Sequence, residues 1–215
     1  MDYLKDFLDF FLHLDDKLLD MINTYGNWTY GILFAIIFVE TGLIIMPFLP
    51  GDSLLFAAGT FAAMGSLNIF LLIGLLFIAA VLGDTLNYSV GKLLGLRATK
   101  VKLFGRNLVK QEHLDKTHDF FEKFGPKAII IARFVPIVRT FAPFVAGVGN
   151  MTYGKFLTYN IVGGAVWVAG ISLVGYALGS NPWVKANFEI VVFGIIFISI
   201  VPIIIEFVKH RLAKK

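Results

Sequence analysis

At 215 residues, with 57% hydrophobic side chains, 22 phenylalanines and a mean hydropathy of +0.77, the chain is too apolar for a water-soluble domain of its size. It reads as an all-α membrane protein. The absence of cysteine excludes disulfides and thiolate metal sites. The formal charge of +4 matters less than its distribution, because Lys and Arg are missing from residues 18–91 and nine of them then fall within residues 92–127.

In chain order, residues 1–23 come first. Asp2, Lys5, Asp6, Asp9, His13, Asp16 and Asp20 step by three or four, leaving Leu4, Phe7, Leu8, Phe11, Leu18 and Ile22 on the other side. This pattern predicts an amphipathic interfacial helix, and its acidic residues argue against a cleaved signal peptide. A membrane domain over residues 24–208 follows, with apolar stretches of spanning length at 28–46, 67–83, 156–178 and 188–208. Two shorter apolar pieces, 53–64 and 128–148, carry Gly, Pro or charge.

The positive-inside rule puts the 92–127 connection and the basic tail, 209–215, in the cytoplasm. In the connection, Glu112, Asp115, Asp119 and Glu122 interleave the basic residues as on a solvated helix, so no nucleic-acid partner is expected. His13, His113, His118 and His210 lie in polar segments and imply no metal site.

Topology then becomes a matter of parity. An even number of crossings must separate two cytoplasmic segments, and 156–178 with 188–208 already supplies two. The piece at about 126–149 is therefore expected to enter from the cytoplasm and return. With a cytoplasmic N-terminus, the piece at about 48–64 dips in from outside. Two opposed broken segments are the layout of an inverted-repeat transporter with a midplane site. The alternative is that one piece is a kinked, tilted full span. No residue-level repeat is evident, so the symmetry rests on layout.

Charged residues inside the apolar stretches are the candidate site. Arg133 and Arg139 flank Pro136, with Pro143 and Gly147 beyond, and a guanidinium at that depth faces protein, water or an anion. On an unbroken helix the two would point roughly 120° apart; a break at Pro136 lets them converge on a phosphate or carboxylate. Alternatively they neutralise carboxylates. Glu40 lies deep in the first span, where burial and a neighbouring arginine act in opposite senses, as proton coupling requires; a static salt bridge is the other reading. Asp52 follows Pro47, Pro50 and Gly51 and is either an ordinary helix cap or a proton- and anion-handling group. Asp84 is either a site residue or an arginine partner. Gly83, Asn87, Gly91 and Gly95 repeat every four residues as a ridge for close helix packing, which also permits a homo-oligomer. No phosphate loop, HExxH motif or nucleophile elbow is present, so no enzyme and no cofactor are expected.

Several motifs resemble the DedA family, also called SNARE-associated or VTT-domain proteins. They are Glu40-Thr-Gly, Phe48-Leu-Pro-Gly-Asp-Ser-Leu-Leu, Gly83-Asp-x-x-x-Tyr-x-x-Gly, Phe124-Gly, Arg133-Phe-x-Pro-x-x-Arg139-x-x-x-Pro143-x-x-Ala-Gly147 and Asn160-x-x-Gly-Gly-Ala-x-Trp167. The resemblance implies a multi-pass protein of the bacterial inner membrane with two opposed re-entrant hairpins. It implies roles in undecaprenyl phosphate recycling, proton-motive-force homeostasis and envelope integrity, with phospholipid scrambling among eukaryotic relatives. The family's acidic and basic functional residues map onto Glu40, Asp52, Arg133 and Arg139. The function expected is proton-coupled translocation of an anionic lipid, undecaprenyl phosphate or a phospholipid, with Arg133 and Arg139 binding the headgroup. Glu40 and Asp52 would pair with them in the empty state. A proton-coupled small-ion or drug antiporter, and a scaffold that docks a partner through residues 92–127, are the alternatives.

Overall fold

A computed structural model of the protein describes residues 14–43, 51–95, 102–103, 106–107, 111–186, 190 and 194. Pro47, Pro50, the first part of the amphipathic segment, most of the stretch 188–208 and the basic tail lie outside the described residues. The helices are α1 Leu14–Tyr25, α2 Trp28–Gly42, α3 Gly51–Ala63, α4 Ile69–Leu94, α5 Gln111–Phe124, α6 Ala128–Ala132, α7 Pro136–Val148, α8 Tyr153–Gly179 and α9 Pro182–Ala186. Strands β1 Lys102–Leu103 and β2 Arg106–Asn107 form a two-residue antiparallel pair inside the basic connection, too small to alter the all-α class.

Sequence chemistry sets the boundaries. Gly26, at φ +52°, breaks the chain between α1 and α2, a conformation that costs a side-chain-bearing residue about 1–2 kcal/mol. Asn68 starts α4 by accepting from the N–H groups of Phe70 and Leu71 at 3.0 and 3.1 Å. The first span was expected over 28–46, whereas its helix ends at Gly42, where Met46 is already outside the described residues. Helices α4 and α8, of 26 and 27 residues, each run about 40 Å and exceed the ~30 Å hydrocarbon core. Phe70, Leu71, Ile78, Leu82, Leu86 and Leu93 on α4, and Ile161, Val162, Val166, Leu173 and Val174 on α8, are exposed. Such apolar faces belong in lipid rather than water.

The chain forms two compact units. The first comprises α1, α2 through Ile36, α3, α4 through Leu76, α8 from Val168, and α9. Here α3 is buried along nearly its whole length and α1 packs against it, with Leu18 turned inward. The second comprises α2 from Ile37, α4 from Phe77, the strand pair, α5, α6, α7 and α8 through Trp167. Its core gathers Tyr88, Ile129, Ala132, Val138, Ala142, Ala146 and Phe156, with Phe120 and Phe121 of α5 packed against it. The outer face of α5 exposes Asp115, His118, Asp119 and Glu122, as a solvated helix does.

Within each unit one contact recurs. In the first, a Cβ added at Gly59 of α3 would collide with the Ser172 carbonyl, and one at Gly175 of α8 with the Phe56 carbonyl. In the second, a Cβ at Gly147 of α7 would collide with the Tyr88 carbonyl, and one at Gly91 of α4 with the Phe144 carbonyl. The residues involved stand in matching order: Phe56-Ala-Ala-Gly59 against Phe144-Val-Ala-Gly147, and Val174-Gly175-x-x-Leu178-Gly179 against Val90-Gly91-x-x-Leu94-Gly95. A residue-level correspondence thus exists that hydropathy alone did not reveal. Gly147, expected to shape a hairpin, is also a packing residue, because its missing side chain admits the α4 backbone. Gly95, expected to pack, has open space around it; at φ +53° it closes the end of α4.

Gly91→Ala is expected to lower stability by about 2–3 kcal/mol through overpacking against backbone. Gly74→Ala, where nothing lies within 4 Å, should be neutral or slightly stabilising. Thermal unfolding of both variants in detergent distinguishes them, and equal effects would contradict the close α4/α7 approach.

Candidate functional site

The second unit holds four charged residues together in its interior: Glu40 on α2, Asp84 on α4, Arg133 after α6 and Arg139 in α7. The break between α6 and α7 is what makes this arrangement available. The N–H groups of Arg133, Phe134 and Val135 donate to carbonyls three residues back, at 3.3, 3.1 and 2.9 Å, tightening the helix as it ends. Pro136 then restricts Val135 to extended backbone, φ −120° and ψ 103°, and α7 begins on the proline. Arg139 falls in the first turn of the new helix, its N–H donating to the Val135 carbonyl at 2.8 Å. Pro143 follows four residues later and has no N–H to offer the Arg139 carbonyl.

Each arginine meets its own carboxylate. Arg133 donates from Nη2 to Asp84 Oδ2 and to Asn160 Oδ1, both at 2.5 Å, and its side chain is 2% exposed. Arg139 donates from Nη2 to Glu40 Oε1, with side chains 12% and 3% exposed respectively. The guanidinium carbons of Arg133 and Arg139 stand 5.6 and 5.1 Å from the centre of the same indole, that of Trp167. Buried pairs of this kind contribute little net stability, but removing one member leaves a charge uncompensated, at about 3–5 kcal/mol.

Two asparagines tie these pairs to the backbone. Asn160 Nδ2 donates to the Val81 carbonyl at 3.1 Å while its Oδ1 accepts from Arg133. Asn87 Nδ2 donates to the carbonyls of Thr41 and Thr140 at 3.3 and 2.8 Å. Those are the residues directly after Glu40 and Arg139, so one buried amide sets α2 and α7 in register at the second ion pair. Gly163 and Gly164 make room for Arg133: a Cβ at Gly163 would come within 3.2 Å of its Cδ and Nε. Thr41 Oγ1 donates to the Ile37 carbonyl at 2.9 Å, and Gly83 lets α4 approach that turn of α2.

Among the carboxylates considered from the sequence, Asp84 is the partner of Arg133. Asp52 belongs to the other unit, where it is half-buried in the first turn of α3. Asn87 had been read only as a small ridge residue, and Asn160, Gly163, Gly164 and Trp167 only as motif letters. Their spacing carried a signal, since positions 160, 163, 164 and 167 recur at three and four residues and share one helix face.

An apolar helical protein with long lipid-length helices and a charged, hydrogen-bonded interior is a membrane protein built around a polar core. A profile of the VTT domain matches residues 49–177. Protein DedA of Escherichia coli strain K12 is 47% identical over 218 aligned residues, covering 99% of this chain and 97% of that protein. An uncharacterized membrane protein of Mycobacterium tuberculosis strain H37Rv is 42% identical over 193 residues, 89% of this chain and 84% of its own. Inner membrane protein YqjA of E. coli K12 is 38% identical over 153 residues, 71% and 69% of the two chains. The chain belongs to the DedA family of VTT-domain membrane proteins. No solved structure matches it.

A double-substitution cycle tests the pairing. Arg133→Gln and Asp84→Asn are each expected to destabilise by about 3 kcal/mol, and the double variant by clearly less than their sum. Additive losses in detergent unfolding would mean that the two side chains do not interact.

Proposed function

We propose that this protein is a transporter that moves an anionic lipid headgroup, undecaprenyl phosphate in particular, from the outer to the cytoplasmic leaflet of the bacterial inner membrane, coupled to protons. The observation that carries the reading is the pair of interior arginines, each neutralised by a carboxylate and both against one indole. Guanidinium groups prefer phosphate and carboxylate alike, so an incoming phosphate competes with Glu40 and Asp84 for the same donors. Protonation of a carboxylate frees its arginine for the headgroup, and deprotonation on the other side restores the ion pair and completes the cycle. Asp52, at the start of α3, serves as a further proton-handling group. The prenyl tail stays in lipid throughout, and no reaction is assigned to the protein.

The topology proposed with it has α3 dipping from outside and the α6/α7 segment dipping from the cytoplasm. Supporting this, α3 and α7 have 13 residues each, about 20 Å, short of a full crossing. The duplicated Phe-x-x-Gly contact supports an inverted repeat, with each dipping helix packed on the long helix from the other half of the chain. The basic 92–127 connection supports cytoplasmic placement of that segment and both termini. The inner-membrane address is the one in the name of YqjA.

One observation favours a second reading, a proton-coupled small-ion antiporter: both carboxylates have an arginine in the protein itself, which suits arginines that tune carboxylates rather than bind cargo. Liposome reconstitution separates the two. Selective movement of undecaprenyl phosphate over a neutral-headgroup phospholipid is expected, reduced at least about a hundredfold in Arg139→Ala, the factor that about 2.7 kcal/mol represents. Equal movement of both lipids would make the protein a scramblase, and proton flux driven by small ions without lipid movement would favour the antiporter.

A further inference from the structure

We propose that Trp167 is the positioning residue common to both arginines: its indole holds the two guanidinium groups side by side, so that a phosphate monoester entering the site meets both together. The proposal rests on the anionic-headgroup reading and specifies how the receptor is assembled. Arg133 and Arg139 arrive from opposite sides of a helix break and are neutralised by carboxylates on different helices, α4 and α2. Nothing in those two ion pairs makes the guanidiniums face a common point. The indole is the neighbour they share: it is fully buried and lies 5.6 Å from one guanidinium carbon and 5.1 Å from the other, within cation–π range of both.

Like charges brought close in a medium of low dielectric repel strongly, and the negative π-face of an indole offsets part of that repulsion. Tryptophan has the strongest such face among the side chains, so phenylalanine substitutes in part and leucine does not. A second observation points to an anion. Nε and Nη1 of Arg133 are buried and find no acceptor among the described residues, which is costly for a cation and would be relieved by phosphate oxygens. Helix α8 supplies the remaining frame: Asn160, Gly163 and Gly164 seat Arg133 one and two turns before Trp167 on the same face.

The three tryptophans make the test direct. Trp28 and Trp183 are 78% and 61% exposed, so Trp28→Phe with Trp183→Phe leaves Trp167 as the single emitter. An indole's emission depends on the charges held at its ring. In that background, without ligand, Arg139→Gln is expected to shift the Trp167 emission maximum; an unchanged spectrum overturns the proposal. Farnesyl phosphate is expected to shift the emission of the parent, and farnesol is not. By calorimetry on otherwise native protein, Trp167→Leu should bind farnesyl phosphate about tenfold more weakly, with Trp167→Phe between. Circular dichroism checks that each variant is folded. Calorimetric binding with unmoved emission, or native affinity in Trp167→Leu, overturns the role of Trp167 and leaves the anionic-headgroup reading standing. Failure of the native protein to bind farnesyl phosphate at all overturns that reading, and the proposal with it.

Discussion

A guanidinium group cannot be left uncompensated in an apolar interior, and the second unit of this protein is organised around that constraint twice over. Each arginine stays charged at any physiological pH, so the fold must deliver a carboxylate to it rather than let it neutralise. Asp84 and Glu40 come from two different helices to do so. The helix break at 133–135, the paired glycines at 163 and 164 and the two asparagine ties are the local features that let those side chains meet. None of them is explained by apolar packing alone.

The glycine contacts answer a different demand. Between helices surrounded by lipid there is little hydrophobic drive to associate, so close backbone approach and hydrogen bonding carry more of the work. Gly91 and Gly147 in one unit, and Gly59 and Gly175 in the other, remove the side chains that would hold the helices apart. Thr60 adds a hydrogen bond across the first-unit contact, its Oγ1 donating to the Gly175 carbonyl at 3.1 Å. Tyr88 does the same kind of work in the second unit, donating to the Met151 carbonyl at 2.5 Å and fastening the turn after α7. The same backbone contact therefore serves in both units.

For the proposed transport cycle the consequence is mechanical. Asn87 holds the backbones beside Glu40 and Arg139 in register, and Asn160 holds Arg133 itself. A proton or a headgroup can then exchange ion-pair partners against a rigid frame, without the helices having to find each other again.

The sequence by itself determined the class: hydropathy marked a helical membrane protein, charge distribution marked the basic connection, and the motifs around Glu40, Gly83, Arg133 and Trp167 marked the family. It also singled out Glu40, Asp52, Asp84, Arg133 and Arg139, because a charge inside an apolar run is conspicuous whatever the fold. Partnership was another matter. Asp52 and Asp84 are equally conspicuous as letters, and only the packing of α4 beside the α6/α7 break made Asp84 the partner of Arg133. Asn87 and Gly147 have ordinary local reasons to be where they are, so their actual roles became visible only once the backbone across from each was in place. Composition and periodicity report what a residue must avoid, lipid or water, since that is a property of the side chain alone. Which residue it meets depends on helix crossings between segments about 50 to 100 positions apart, as Asp84 with Arg133 and Glu40 with Arg139 show, and tertiary structure alone decides those.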